Sequence, residues 1–269
     1  MAKKGVIIGI VLGVLLISIG LGYYFATSSS TVTAQLHVEQ SGVQVNGNEV
    51  LNNVHLSKGD VITTTDGKAT IILYESVLVS LEPNSKVTLD ELTKTHPKVS
   101  VQAGHTWNTF TKLAGVEGFS TSSGSTVASV RGTVFEFGDG FILTGEGTVE
   151  YNTGDKTFEV NTGRVVENGV ERDATSDELA QAHDYLLRAI QELRYLRQLE
   201  IDKHPALLAL AKQTYNVDET RINALLEESD NGQHDVDAFK ASAPVHADSI
   251  DKVADITKAI QKLNQALNG

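Results

Sequence analysis

The chain has 269 residues, with 22 Lys and Arg against 34 Asp and Glu, a formal charge of −12, and no cysteine. An acidic surface repels nucleic acid and anionic lipid headgroups, so neither is expected as a partner. The absence of cysteine excludes disulfides, thiol catalysis and zinc–thiolate sites, so the fold must be stable from packing alone.

The first element is apolar. Residues 5–26 carry no charge, and at ~1.5 Å per residue they span roughly 33 Å, enough to cross about 30 Å of hydrocarbon as a helix. Lys3 and Lys4 precede this run and no positive charge follows until Lys58. The positive-inside rule then leaves residues 1–4 as a cytoplasmic stub and puts everything after Ala26 outside the cytoplasm. Tyr23, Tyr24 and Phe25 fall where an interfacial aromatic belt belongs. The competing reading is a signal peptide cleaved near Val32-Thr33-Ala34, but the apolar run is longer than the roughly 7–15 residues of a usual export signal. Gly5, Gly9 and Gly13 recur every fourth residue, which is either a close-packing face for a homodimer or simply the ordinary abundance of glycine in membrane helices. Residues 27–33 are Ser- and Thr-rich and read as a linker.

Residues 34–172 read as all-β. Gln35–Glu39 alternates, and Val43–Val45 and Glu49–Leu51 flank Asn46-Gly47-Asn48, a hairpin signal. Strands are expected at Val61–Thr64, Ala69–Leu73, Val77–Leu81 and Lys86–Leu89, around Val99 and Val101, and from Trp107 to Phe110. Further strands follow from Val134 to Val166, punctuated by Asp139-Gly140, Asn152-Thr153-Gly154 and Asn168-Gly169. A turn every 8–12 residues without a helical stretch predicts stacked short strands, either a β-solenoid or a sandwich.

The period changes after Asp173, and residues 173–269 read as an α-helical bundle. Thr175-x-x-Glu178 is a capping box opening a helix to about Glu200. His204-Pro205 restarts a helix through about Thr214. Asn216-x-x-Glu219 reads as a second capping box, and residues 230–248 read as a loop. Asp248 or Ser249 caps a last helix, in which Val253, Ile256, Ile260, Leu263 and Leu267 form a packing seam.

Several residues are candidates for chemistry. In Val130-Arg131-Gly132-Thr133, Arg131 can pair with a partner's carboxylate or with an internal one, and Gly132 permits a tight backbone bend. Trp107, the single tryptophan, is either a binding platform or a core residue. The eight histidines show no H-x-H or H-x-x-x-H pair, and Asp235 and Asp237 lack the rest of a calcium loop, so no metal site and no cofactor are expected. Residues 208–226 have the outline of a DNA-binding helix-turn-helix. Their only basic residues are Lys212 and Arg221, and they lie on the exported side, so hairpin packing is the better reading. No nucleophile elbow, phosphate-binding loop or HExxH motif occurs.

The β region resembles the FecR domain family. The resemblance rests on four stretches taken in order: Leu56–Thr63 with Asp66–Leu73; Val77-Leu-Val-Ser-Leu-Glu-Pro-Asn-Ser-Lys-Val-Thr-Leu89; Val99–Trp107; and Val130-Arg-Gly-Thr-Val-Phe135 with Thr144–Tyr151. It covers about 115 residues and stops near residue 172. The family's namesake is a one-helix membrane regulator that senses an outer-membrane transporter outside and controls a sigma factor from a cytoplasmic domain. Here the cytoplasmic part is only Met1-Ala-Lys-Lys4, so the resemblance implies an extracytoplasmic recognition or scaffolding module without that domain. The expected protein is a non-catalytic, single-pass membrane protein that binds an envelope protein or polymer. The alternatives are a sensory component working through a separate partner, and a polysaccharide-acting envelope enzyme.

Overall fold

A computed structural model describes residues 33–112, 115–130, 132–242 and 247–268. The membrane segment expected at 5–26, with Gly5, Gly9 and Gly13, lies outside the described residues, as do the stub and nearly all of the linker. Among the described residues no helix is long and apolar enough to cross a membrane. The chain forms two compact units. One comprises Thr31–Arg194 and Lys262–Gly269; the other, within the described residues, is Tyr195–Gln261.

The first unit is built on two sheets. From edge to edge the first sheet runs β4 (Val54–His55), β1 (Ala34–Val38), β6 (Ala69–Leu73), β7 (Val77–Leu81), β10 (His105–Phe110), β13 (Val134–Gly138), β14 (Phe141–Glu146), β17 (Arg164–Glu167) and β18 (Val170–Asp173). The second runs β3 (Asn48–Glu49), β2 (Val43–Val45), β5 (Val61–Thr64), β8 (Lys86–Glu91), β9 (Lys98–Ala103), β11 (Phe119–Ser123), β12 (Thr126–Val130), β15 (Thr148–Asn152) and β16 (Thr157–Asn161). The chain passes back and forth between the sheets and advances along both in step. Hairpins such as β6–β7 and β8–β9 are antiparallel. β9 and β11 run parallel because the connection between them detours through β10 in the other sheet.

Side-chain alternation makes this a sandwich. Ile62, Val87, Leu89, Val99, Val101 and Tyr151 of the second sheet share one core with Leu36, Ile71, Val79, Phe135 and Phe137 of the first. Between them, polar residues of the second sheet point outward, so β15 alternates exposed and buried along its length. The first sheet does not alternate: β6, β7 and β13 are buried at every position. Strands buried on both faces need a second covering layer.

The turns show why the chain bends where it does. Asn46 and Gly47 both take positive φ, 53° and 78°, as a two-residue hairpin turn requires. Gly104 turns β9 into β10 at φ 72°, and a β-carbon there would lie 2.7 Å from the Ser85 α-carbon.

Helix α1 (Ser176–Lys203) opens with the expected capping box. The Glu178 amide donates to Thr175 Oγ1 at 3.3 Å, and the Thr175 amide donates to Glu178 Oε2 at 2.7 Å. Arg172 also grips Glu178, and this hydrogen-bonded pairing draws the carboxyl down to about 2.

The second unit contains the end of α1, α2 (Pro205–Tyr215), α3 (Glu219–Asp230), α4 (Val236–Ser242) and most of α5 (Asp248–Asn268). Arg197 on α1 donates from Nη2 to Asp230 Oδ2 at 2.9 Å, from Nη1 to Asp230 Oδ1, and from Nη1 to Thr257 Oγ1 on α5 at 2.9 Å. This buried bidentate pair ties three helices together.

Four expectations need correction. Asn216 is not an N-cap: it closes α2 in the left-handed conformation at φ 51°, and Asp218 caps α3 by accepting from the Arg221 amide. Residues 230–248 are not wholly a loop, because α4 lies within them. β11 and β12 form where no strand was expected. So do β4 and β18, each a short strand at an edge of the first sheet.

Removing one partner of a buried ion pair strands the other charge. Asp230→Ala is therefore expected to lower the unfolding free energy by about 3–5 kcal/mol, measured by chemical denaturation and monitored by the loss of helical circular dichroism.

Candidate recognition surface

The first unit treats its two outer faces differently, and the difference starts from α1. Residues 176–194 of this helix cover the outer face of the first sheet. Tyr185 stacks on Trp107, ring centroids 4.7 Å apart and planes 17° from parallel. Its hydroxyl lies 3.1 Å from Thr109 Oγ1. Burial pushes the Tyr185 phenol up to about 12, so it stays protonated. Arg188, one turn on, donates to Glu39 on the β1 side at 2.7 Å and to Glu82 after β7 at 3.4 Å. His37 Nδ1 lies 3.1 Å from Glu192 Oε2. The helix is therefore held by an aromatic stack in the middle and by charged hydrogen bonds toward its C-terminal side.

Among the described residues of the first unit, no helix covers the outer face of the second sheet. Its outward residues run in register across the strands. Thr88 pairs with Ser100, Ser100 with Ser122, and Ser120 with Ser129. Ser129 pairs in turn with Glu150, and Glu150 with Glu159. The face is thus a ladder of short hydroxyl side chains, with carboxylates near β16 and Lys86 and Lys98 on the strands nearer β5. Gln102 donates to Thr88 Oγ1 at 2.8 Å, and the Ser120 and Ser129 hydroxyls lie 3.3 Å apart. Short side chains cost little entropy to order, so such a surface can dock a partner by many weak hydrogen bonds. Glu150 and Glu159 oppose each other on this open face, not in a cleft, so they do not form the acid–base pair of a glycosidase.

The model of the family described as FecR protein matches residues 59–166, from the turn before β5 into β17. Residues 59–166 are a FecR domain.

The comparison with curated proteins gives no match. Two crystal structures of a protein from Parabacteroides distasonis ATCC 8503, provisionally described as an anti-sigma factor, are similar over 44% and 45% of this chain. Identity is 13% in both, with TM-scores of 0.38 and 0.39, and the match spans 61% and 62% of those chains.

The residues singled out in the sequence now have places. Trp107 is 4% exposed and sits between the FecR domain's first sheet and α1. Its stacking partner Tyr185 lies beyond the matched range. Gly132 takes φ 114° with open space where a side chain would be, so its backbone angle, not crowding, selects glycine. Thr133 is buried, and its carbonyl accepts from the Phe110 amide at 2.9 Å. Arg131 lies outside the described residues. Gly132 and Thr133 thus sit in the chain between β12 and β13, away from Trp107 in sequence. Among the described residues no cluster of three or more His, Asp or Glu is placed to hold a metal ion.

The sequence reading missed His37, Arg188 and Glu192. The signal was present in the helix, where Arg188 and Glu192 are polar residues on a stripe otherwise formed by Ala182, Tyr185, Ala189 and Leu193. A second histidine pair lies on the same sheet of the FecR domain, where His105 Nδ1 is 2.7 Å from Glu136 Oε1.

Hydrogen bonds to Glu192 and Glu136 raise His37 and His105, respectively, above the ordinary imidazole value, against the opposing effect of burial. A raised histidine stabilises the fold fully below about pH 6.5 and loses that contribution as pH climbs through its folded-state value. Stability is therefore expected to fall with rising pH from about 6.5, and His37→Gln should remove part of that slope. NMR titration of the His37 ring should return a pKa above 6.5, moving back toward it in Glu192→Gln.

Proposed function

We propose that the chain is a membrane-tethered, extracytoplasmic FecR-domain protein that binds another envelope protein or polymer without catalysing a reaction. The tether is the apolar run at 5–26, preceded by Lys3 and Lys4. The observation that carries the docking assignment is the asymmetry of the FecR domain. One outer face is closed by the chain's own helix, while the other presents Thr88, Ser100, Ser120 and Ser129 in register. A flat hydroxyl ladder on a rigid sandwich suits a partner that supplies many hydrogen-bonding groups.

Membership of the FecR domain family favours a signalling setting for this binding, with output through a separate membrane partner. The glycine stripe at Gly5, Gly9 and Gly13 offers that partner, or a second copy, a close-packing face.

Photo-crosslinking in intact cells tests the docking face. A photoreactive amino acid at Ser129 or Ser100 should trap a discrete envelope component, and the same residue at Asp177 on α1 should not. Arg placed at the neighbouring Ser120 should reduce the Ser129 adduct at least about tenfold. Equal trapping from Asp177, or no adduct from either face position, would defeat the assignment. Protease added to spheroplasts should digest the FecR domain; protection until the membrane is opened would remove the topology.

A further inference from the structure

The helical unit contains a cavity of about 500 Å³. It lies among the end of α1 and helices α2 to α5, with Leu207, Leu225, Val236 and Val253 among its walls. Its size is in the range of sites that bury small organic ligands, ~300–1,000 Å³. Exposed apolar lining of this extent is costly in water, and a well-packed bundle would close it.

The walls also carry polar atoms that the bundle leaves unmatched. Glu200 Oε1, His204 Nε2 and Ser249 Oγ are buried without a hydrogen-bond partner, and the three residues are 2%, 7% and 3% exposed. The first two atoms lie 3.3 Å apart without hydrogen-bond geometry. Other hydroxyls of the wall are satisfied: Ser229 donates to the Leu225 carbonyl and Thr257 to that of Val253. The other Glu200 oxygen, Oε2, accepts from Lys203 Nζ at 3.3 Å, with Lys252 Nζ at 3.7 Å. The unmet need is thus specific: a donor for a carboxylate oxygen beside an imidazole nitrogen and a hydroxyl. Buried polar atoms left unpaired cost ~1–3 kcal/mol each, so a ligand that pairs them gains selectively over one that does not.

We propose that this cavity binds a small apolar molecule with a single hydroxyl head, whose O–H donates to Glu200 while its oxygen accepts from His204 or Ser249. A carboxylate head is disfavoured because, once ionised, it has no O–H to donate to the unpaired Glu200 oxygen. The site is independent of the docking face on the FecR domain and goes beyond that reading.

A photoreactive analogue of 1-decanol, with a diazirine in mid-chain, tests this on the full chain in lipid nanodiscs. Mass spectrometry should map the adducts to wall residues such as Leu207, Leu225 and Val253. Unlabelled 1-decanol should compete them away, and decanoate should need at least about tenfold more to do so. Ala254→Trp, which fills the cavity, should abolish these adducts while leaving those in residues 5–26 unchanged. Labelling confined to the membrane segment, or wall labelling unaffected by excess 1-decanol, would overturn the site. Equal competition by decanoate in the unsubstituted protein would overturn the hydroxyl assignment, whatever the folding of the variant.

Discussion

The constraint on which the first unit depends is that its first sheet is buried on both faces. Ile71 and Val79 point into the sandwich, while Ile72, Leu78 and Trp107 point the other way and are just as buried. Backbone groups in such a sheet are satisfied by the ladder, but the outward side chains would be exposed to water unless another layer covers them. The opening turns of α1 provide that layer. The helix is therefore part of the domain's packing even though it lies beyond the stretch that matches the FecR model.

Covering a sheet with a helix usually needs apolar contact alone, yet here the contact includes Arg188 with Glu39 and Glu82, and His37 with Glu192. Buried or half-buried charges of this kind contribute less to stability than to register. A helix held only by Ala182, Leu186 and Leu193 could slide along the sheet by a turn. Pairing to named carboxylates fixes which turn meets which strand, and the Tyr185–Trp107 stack fixes its rotation.

Much of this was legible in the residues. The hairpin at Asn46-Gly47, the strands at Val61–Thr64, Ala69–Leu73 and Val77–Leu81, and the capping box at Thr175 and Glu178 all follow from local chemistry that tertiary context did not override. β11 and β12 were not legible because their inward residues include Thr121, Ser123 and Thr126, small polar groups that give no apolar alternation. Asn216 misled because left-handed helix ends and helix starts draw on the same residue type. Helix α4, at seven residues, is too short for its period to register. The outer hydroxyl face escaped notice for the same reason as β11: serine and threonine look like loop until their partners across the sheet are known. The apolar walls of the helical cavity read as ordinary core, since a sequence shows which residues are greasy but not how much space they leave.

The order of the strands has a consequence for how the domain is made. The first sheet grows from β1 to β18 and the second from β2 to β16, in the order in which the ribosome delivers the chain, and each new strand finds its neighbour already in position. No early strand has to wait for the last one to close a ring, so loop-closure entropy is spread over many short steps. The growing end, however, always presents an unpaired strand and a greasy outer surface until α1 has emerged. The chain stays vulnerable to misassociation for that interval, and the helix that follows the last strand is what ends it.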